Sequence, residues 1–198
     1  MKKFELTSET KINIFGKKLF RIKALISFAD VEAGETGGWV EKEGNVNQSG
    51  NAWVYGDAMV SGNAMVYGDA KVSGNAKVYG NADVYGNAKV YGNAEVYGNA
   101  DVSGDAWVYG NAKVSGNAEV SGDAEVSGNA DYTTIHGFGT QFRTTTFFRC
   151  KDKKVRVACG CFFGTIPEFR EQVKNTRKGK IAEEYLMIAD LMENHFEK

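Results

Sequence analysis

Two histidines, three cysteines and a run of basic residues are the groups in this chain whose types and spacing could support chemistry. His136, in TTIHGFGTQFR, is the candidate general base, since an imidazole titrates near neutrality; otherwise it is a packed or solvated residue. His195 stands alone near the C-terminus. Cys159-Gly-Cys161 could be a thiol or metal pair, but a zinc site needs further ligands that the sequence does not offer. On one strand, residues two apart share a face, where free cysteines behave as small apolar groups. With Cys150 the count is odd, unlike a disulfide framework, so all three are read as reduced. No metal and no cofactor is expected. Downstream of His136, Arg143, Arg149, Lys151, Lys154 and Arg156 could together meet a small anion, or could belong to a solvated hairpin.

The elements that must position these groups are set by a repeat. From Asn51 the chain reads NAWVYG DAMVSG NAMVYG DAKVSG and continues through fourteen hexads to NADYTT. On an extended strand the Ala and Val of a hexad point one way, and the variable residue and the Tyr/Ser the other. Gly followed by Asn or Asp is turn chemistry. A helix is excluded, because a six-residue apolar period drifts around a 3.6-residue turn and each glycine would cost about 1 kcal/mol relative to alanine. Parallel strands stacked as a solenoid satisfy the pattern.

These A-x-V-x-G-N/D hexads resemble the left-handed β-helix family of hexapeptide-repeat proteins, in which three hexads form one triangular coil. The resemblance implies about 4.7 coils over 84 residues, stacked at roughly 4.8 Å. The segment IKALISFADVEAGETGGWVEKEGNVNQSGNAWVYG is similar to the start of uncharacterised bacterial and phage β-helix proteins. The fold expected is mainly β: an N-terminal β cap over residues 1–49, a left-handed parallel β-helix over 50–133, and a C-terminal β-hairpin with two α-helices over 134–198. The N-terminal cap is expected to be a hairpin, KINIF and LFRIKALISF around Gly16-Lys17-Lys18. The C-terminal hairpin pairs RTTTFFRC with VRVACGCFF around Lys151–Lys154. Thr165-Ile-Pro-Glu168 reads as a capping box opening a first helix to about Arg177, and Ile181 to Phe196 carry the period of a second. This module resembles one found on phage-type relatives.

The net charge of −1 hides a division: residues 50–133 hold four basic and ten acidic residues, and residues 134–198 hold twelve and eight. With 18 residues per coil, three outward faces follow. Face one stacks Trp53/Tyr55, Lys71/Ser73, Lys89/Tyr91, Trp107/Tyr109 and Glu125/Ser127. Face two alternates Lys77, Glu95, Lys113 and Asp131, an arrangement of cross-strand charge pairs. Face three stacks Asp83, Asp101 and Glu119, with Asp69, Asp105 and Asp123 at the following corner. That ridge is either tolerated turn chemistry screened by salt or a seat for a cation.

Members of the resembled family include acyltransferases and γ-class carbonic anhydrases. The latter need three zinc-binding histidines, and this chain has two, both outside the hexads. An acyl-coenzyme A-dependent acyltransferase using His136 at a subunit interface stays as the enzymatic alternative. The reading that fits better is a non-enzymatic binding or assembly protein: a homotrimer of phage or prophage type that sequesters a small anionic, nucleotide-like ligand or a host protein. Its interface is expected on face one, at Trp53, Tyr55, Tyr91, Trp107 and Tyr109, and its ligand site at His136, Arg143, Arg149, Lys151, Lys154 and Arg156. Without an apolar leader or an 18-residue apolar run, a cytoplasmic location is expected, with no membrane partner. Nucleic acid is disfavoured, because the C-terminal excess of +4 has eight acids interspersed.

Overall fold

Alternation of one buried and one outward residue makes each hexad a two-residue strand, and a computed structural model describing residues 2–197 shows thirteen of them in succession. They run from β4 (Trp53–Val54) at six-residue intervals to β16 (Glu125–Val126). Before them come β1 (Phe4–Ile12), β2 (Lys18–Ala24) and β3 (Thr36–Val40). After them come β17 (Tyr132–Phe138), β18 (Arg143–Arg149), β19 (Val155–Cys159), β20 (Phe162–Thr165) and the helices α1 (Ile166–Thr176) and α2 (Gly179–Phe196).

The coil is 18 residues, as the parallel register Trp53, Lys71, Lys89, Trp107, Glu125 shows directly. Three walls result. The five-stranded wall carries that column, a four-stranded wall carries Met65, Asp83, Asp101 and Glu119, and the third carries Met59, Lys77, Glu95 and Lys113. The third wall continues through β3 into the antiparallel strands β2 and β1. Inside, every Ala from Ala52 to Ala124 and every Val from Val54 to Val126 is at most 1% exposed. Each buried valine contributes on the order of 1.5–3 kcal/mol of transfer free energy.

The corners explain the remaining two positions of the hexad. Gly80 has φ +78°, and an added Cβ would stand 3.0 Å from both the N and O of Gly98 one coil on. Asparagine side chains form ladders along the corners: Asn63, Asn81 and Asn99 each donate to the Oδ1 of the asparagine 18 residues later, at 3.2, 3.0 and 3.0 Å. In the next column Asn51 donates to Asp69 at 2.8 Å and Asn87 to Asp105 at 2.9 Å. A carboxylate only accepts, so these aspartates each receive the amide of the asparagine one coil before.

The ladder has a direction, and its two ends therefore need opposite chemistry. Each coil donates its N–H groups to carbonyls of the next, as Trp53 N does to Ala70 O at 3.0 Å. Carbonyls are left over at the N-terminal end. The Lys3 ammonium donates to Gly50 O and Ala52 O at 3.2 and 2.8 Å. The Asn45 amide donates to Gly62 O and Ala64 O at 3.1 and 2.8 Å. N–H groups are left over at the other end, where acceptors serve: Asn129 Oδ1 for Lys113 N, Thr146 Oγ1 for Glu119 N, and Asp131 Oδ2 for Ser127 N and Gly128 N, all within 3.0 Å.

Both caps differ in detail from expectation. The N-terminal hairpin begins at Phe4, earlier than KINIF, and a third strand, β3, joins it. The hexad NADYTT does not complete a coil. Asp131, placed on face two by the repeat, instead turns back to Ser127 and Gly128 and lies 3.6 Å from Arg149, while Tyr132 starts β17. The C-terminal hairpin is a four-stranded antiparallel sheet in the order β17-β18-β19-β20. Gly160, at φ +61°, breaks VRVACGCFF into two strands, so Cys159 and Cys161 flank a turn and do not share a strand face.

Strand alternation lets that sheet serve two cores at once. Phe148, Cys150 and Ala158 close the end of the β-helix core. Phe147 and Val157 pack with Ile166, Phe169, Val173, Ile188 and Phe196 of the helices. The capping box forms as read: Glu168 N donates to Thr165 Oγ1, and Thr165 N donates to the Glu168 carboxylate.

Candidate functional site

The basic residues grouped along the sequence are separated in space by the sheet they build. Arg149 donates to Phe196 O at 2.8 Å and lies over the Phe196 ring, fastening the end of α2 to β18. Lys151 donates to Asp105 O at 2.7 Å and stands 4.3 Å from the Trp107 ring centroid, latching the β18–β19 turn onto the β-helix wall. Arg156 pairs with Asp152 at 2.7 Å. Lys154 is exposed and borders a depression of about 500 Å³ shared with Glu193, Phe196 and Glu197. His136 is exposed on β17. The six expected ligand residues thus do not converge on one site, because residues on alternate sides of strands and at opposite ends of a sheet cannot.

Arg143 alone of the six lines a smaller cavity, of about 160 Å³, in the C-terminal module. The β17–β18 turn supplies Thr140 and Gln141 beside it, and the β19–β20 turn supplies Cys159, Cys161 and Phe162. Helix α1 contributes Gln172 and Thr176 over a floor of Phe169 and Val173, the extended residue that ends it contributes Arg177, and α2 contributes Tyr185. Tyr185 is fixed by its hydroxyl, which donates to Phe138 O at 3.3 Å, and by edge contact with Phe169 at 5.8 Å. Burial raises its pKa, while Arg143 and Arg177 act in the opposite sense, which puts both cations in electrostatic range of that hydroxyl. Arg177 and Tyr185 were not singled out from sequence. Phe169 and Val173 lie four residues apart on one face of α1, and Arg177, the next position at that spacing, is the extended residue that ends the helix beside this apolar floor.

The thiols divide. Cys150 is buried, and burial pushes its pKa up to about 11. Cys159 Sγ accepts from Thr145 Oγ1 at 3.1 Å. Cys161 is exposed. Among the described residues, no cluster of three histidine, cysteine or acidic side chains is arranged to hold a metal ion.

Face one is not an exposed aromatic wall. Trp53 is fully buried, with the rings of Phe4 and Phe28 at 5.8 and 5.4 Å, so it belongs to the N-terminal cap and cannot touch a partner. Tyr55 donates to Asp30 at 3.1 Å, and Trp107 lies beneath Lys89 and Lys151. Tyr91 and Tyr109 stack at 5.0 Å, but so do Tyr79 and Tyr97, and Tyr67 and Tyr85 stack at 4.9 Å. Stacked tyrosine pairs are thus a property of every wall.

Charge distinguishes the walls more than aromaticity does. On face two Lys77 pairs with Glu95 at 3.1 Å, as the alternation predicts. On face three Asp83, Asp101 and Glu119 stand in register without an ion pair among the described residues. Burial raises all three pKa values, and Asp83 raises that of Asp101 further, as Asp101 does that of Glu119.

Among known proteins, a family model described as the YdcK beta solenoid repeat matches residues 52–68 and 58–74. No curated protein matches the chain. No helix among the described residues is long and apolar enough to cross a membrane. The chain is a β-helix repeat protein, and its repeat is similar to that of the YdcK solenoid.

Proposed function

We propose that this chain is a non-enzymatic assembly and binding protein: a left-handed β-helix of phage or prophage type that forms a homotrimer and carries a C-terminal module for a small anion or a host protein. The observation that carries the assembly is the match between two adjoining walls. Lys71 stands in the same coil as Asp83, Lys89 in the same coil as Asp101, and Trp107, with Lys151 over it, in the same coil as Glu119. Around a threefold axis parallel to the β-helix axis, face one of one copy meets face three of the next, with these rows at equal height. Lys71 is already shared with Asp30 at 2.6 Å, so Lys89 against Asp101 is the row with most to gain. The interface is electrostatic in place of the aromatic contact expected from sequence, and its contribution falls with salt.

Light scattering at micromolar concentration tests it. The expected result is a trimer mass for the wild type, a lower mass for Lys89→Glu, and recovery when Asp101→Lys is added. A monomeric wild type removes the proposal.

A further inference from the structure

The cavity between the β17–β18 turn, the β19–β20 turn and α1 has an unusual charge balance. Two guanidinium groups, Arg143 and Arg177, line it, and among the described residues no aspartate or glutamate does. Neither arginine forms an ion pair among the described residues, although Arg149, Arg156 and Arg170 of the same module each have a carboxylate partner. Neutral donors accompany them: Gln172, Gln141 and the hydroxyl of Thr140. Phe162 and Phe169 give the cavity an apolar side.

We infer that this cavity is a binding site for a small phosphate-type oxyanion, held between Arg143 and Arg177. A guanidinium presents paired N–H donors that match the oxygens of phosphate, and two of them balance a dianion. Size limits the remainder of the ligand. At ~30 Å³ per water, 160 Å³ is about five waters' worth of space, enough for a phosphate group and a short substituent but not for a nucleotide. The site gives a location and a ligand class to the binding activity proposed above. It rests on that reading only in treating the C-terminal module as the binding element, because all of its lining residues belong to one chain.

Calorimetric titration of the full chain with inorganic phosphate, with acetate as a singly charged comparator, provides the test. Phosphate is expected to bind more tightly than acetate. Arg143→Ala and Arg177→Ala, both at exposed positions, are each expected to weaken phosphate binding about 10- to 100-fold, the range for loss of a charge-assisted hydrogen bond. Bound phosphate should also slow alkylation of Cys161, which lines the cavity. Absence of heat with phosphate, or binding indifferent to both arginine substitutions, overturns the inference. Repeating the titration on Lys89→Glu separates it from the trimer: binding persists there if the site lies within one chain, and its loss would move the anion to the subunit boundary and refute the site described.

Discussion

Asn45 is the residue on which the sealing of the N-terminal end can be measured most directly. Its side chain is fully buried. The amide donates to Gly62 O at 3.1 Å and Ala64 O at 2.8 Å, and Oδ1 accepts from Lys42 N at 2.9 Å. Asn45→Ala strands three backbone groups, of which the Ala64 carbonyl is the most shielded. An unsatisfied buried polar group costs about 1–3 kcal/mol, less where water can reach it. With one group fully stranded and two reachable, the loss is about 2–4 kcal/mol. For a chain of this size that lowers the melting temperature by roughly 5–15 °C. Asn45→Asp separates capping from packing, since it has nearly the same shape but places a carboxylate oxygen opposite two carbonyls. At pH 7 it should be less stable than the alanine variant, and the gap should close near pH 3, where the protonated acid regains a donor. Urea unfolding followed by circular dichroism gives the stabilities. Hydrogen exchange should show the extra opening confined to the first coil, because each coil of a solenoid contacts only its neighbours. An alanine variant within about 0.5 kcal/mol of wild type, below the usual effect of a lost buried hydrogen bond, or an aspartate variant more stable than it, would refute the capping argument.

Gly80→Ala combines a left-handed backbone with a Cβ contact of 3.0 Å to the next coil, whereas Gly56→Ala meets nothing within 4 Å. The second should cost about 1–2 kcal/mol and the first clearly more, and equal losses in thermal unfolding would contradict the stacking account. Burial lowers the Lys3 pKa to about 8 from 10.5, so between those values the unfolded chain holds a proton that the folded one has released. Stability must then rise with pH across that window relative to Lys3→Met, by at most ~1.4 kcal/mol per unit, and be flat below pH 7; a difference that stays constant from pH 7 to 10 counts against the buried ammonium. Lys151→Ala removes both the bond to Asp105 O and the cation over Trp107, at a cost of about 2–4 kcal/mol. It should expose Trp107 and shift tryptophan emission to the red, since Trp39 and Trp53 stay buried; unchanged emission would mean that the latch is not formed.

The division between what could and could not be read from the sequence follows from the range of the interactions involved. Hexad periodicity specifies the strand and corner because each position repeats one environment, and with the three hexads per coil that the family resemblance implies, the columns Lys77–Glu95 and Asp83–Asp101–Glu119 follow from counting. The ends of the helix obey no period. Lys3 reaches Ala52 across 49 residues, and Thr146 reaches Glu119 across 27. Nothing local marks a lysine as a cap for carbonyls. The same reason defeats the expected aromatic wall. Trp53 occupies an outward position of its hexad, and only the return of Phe4 and Phe28 over it turns that position into core.

The expected ligand residues are dispersed for a complementary reason. Arg143, Arg149, Lys151, Lys154 and Arg156 are neighbours along the chain, but a sheet sends neighbours to different faces and ends. Arg149 and Lys151 became fasteners, each bonded to a backbone carbonyl 46 or 47 residues away. Arg143 reached the cavity because a turn and a strand start put it there, and its counterpart Arg177 came from the extended residue that ends α1. The useful question about a run of basic residues is therefore which of them the fold leaves without a partner. Among the described residues of this module, the arginines without a carboxylate are Arg143 and Arg177, and they line the same cavity.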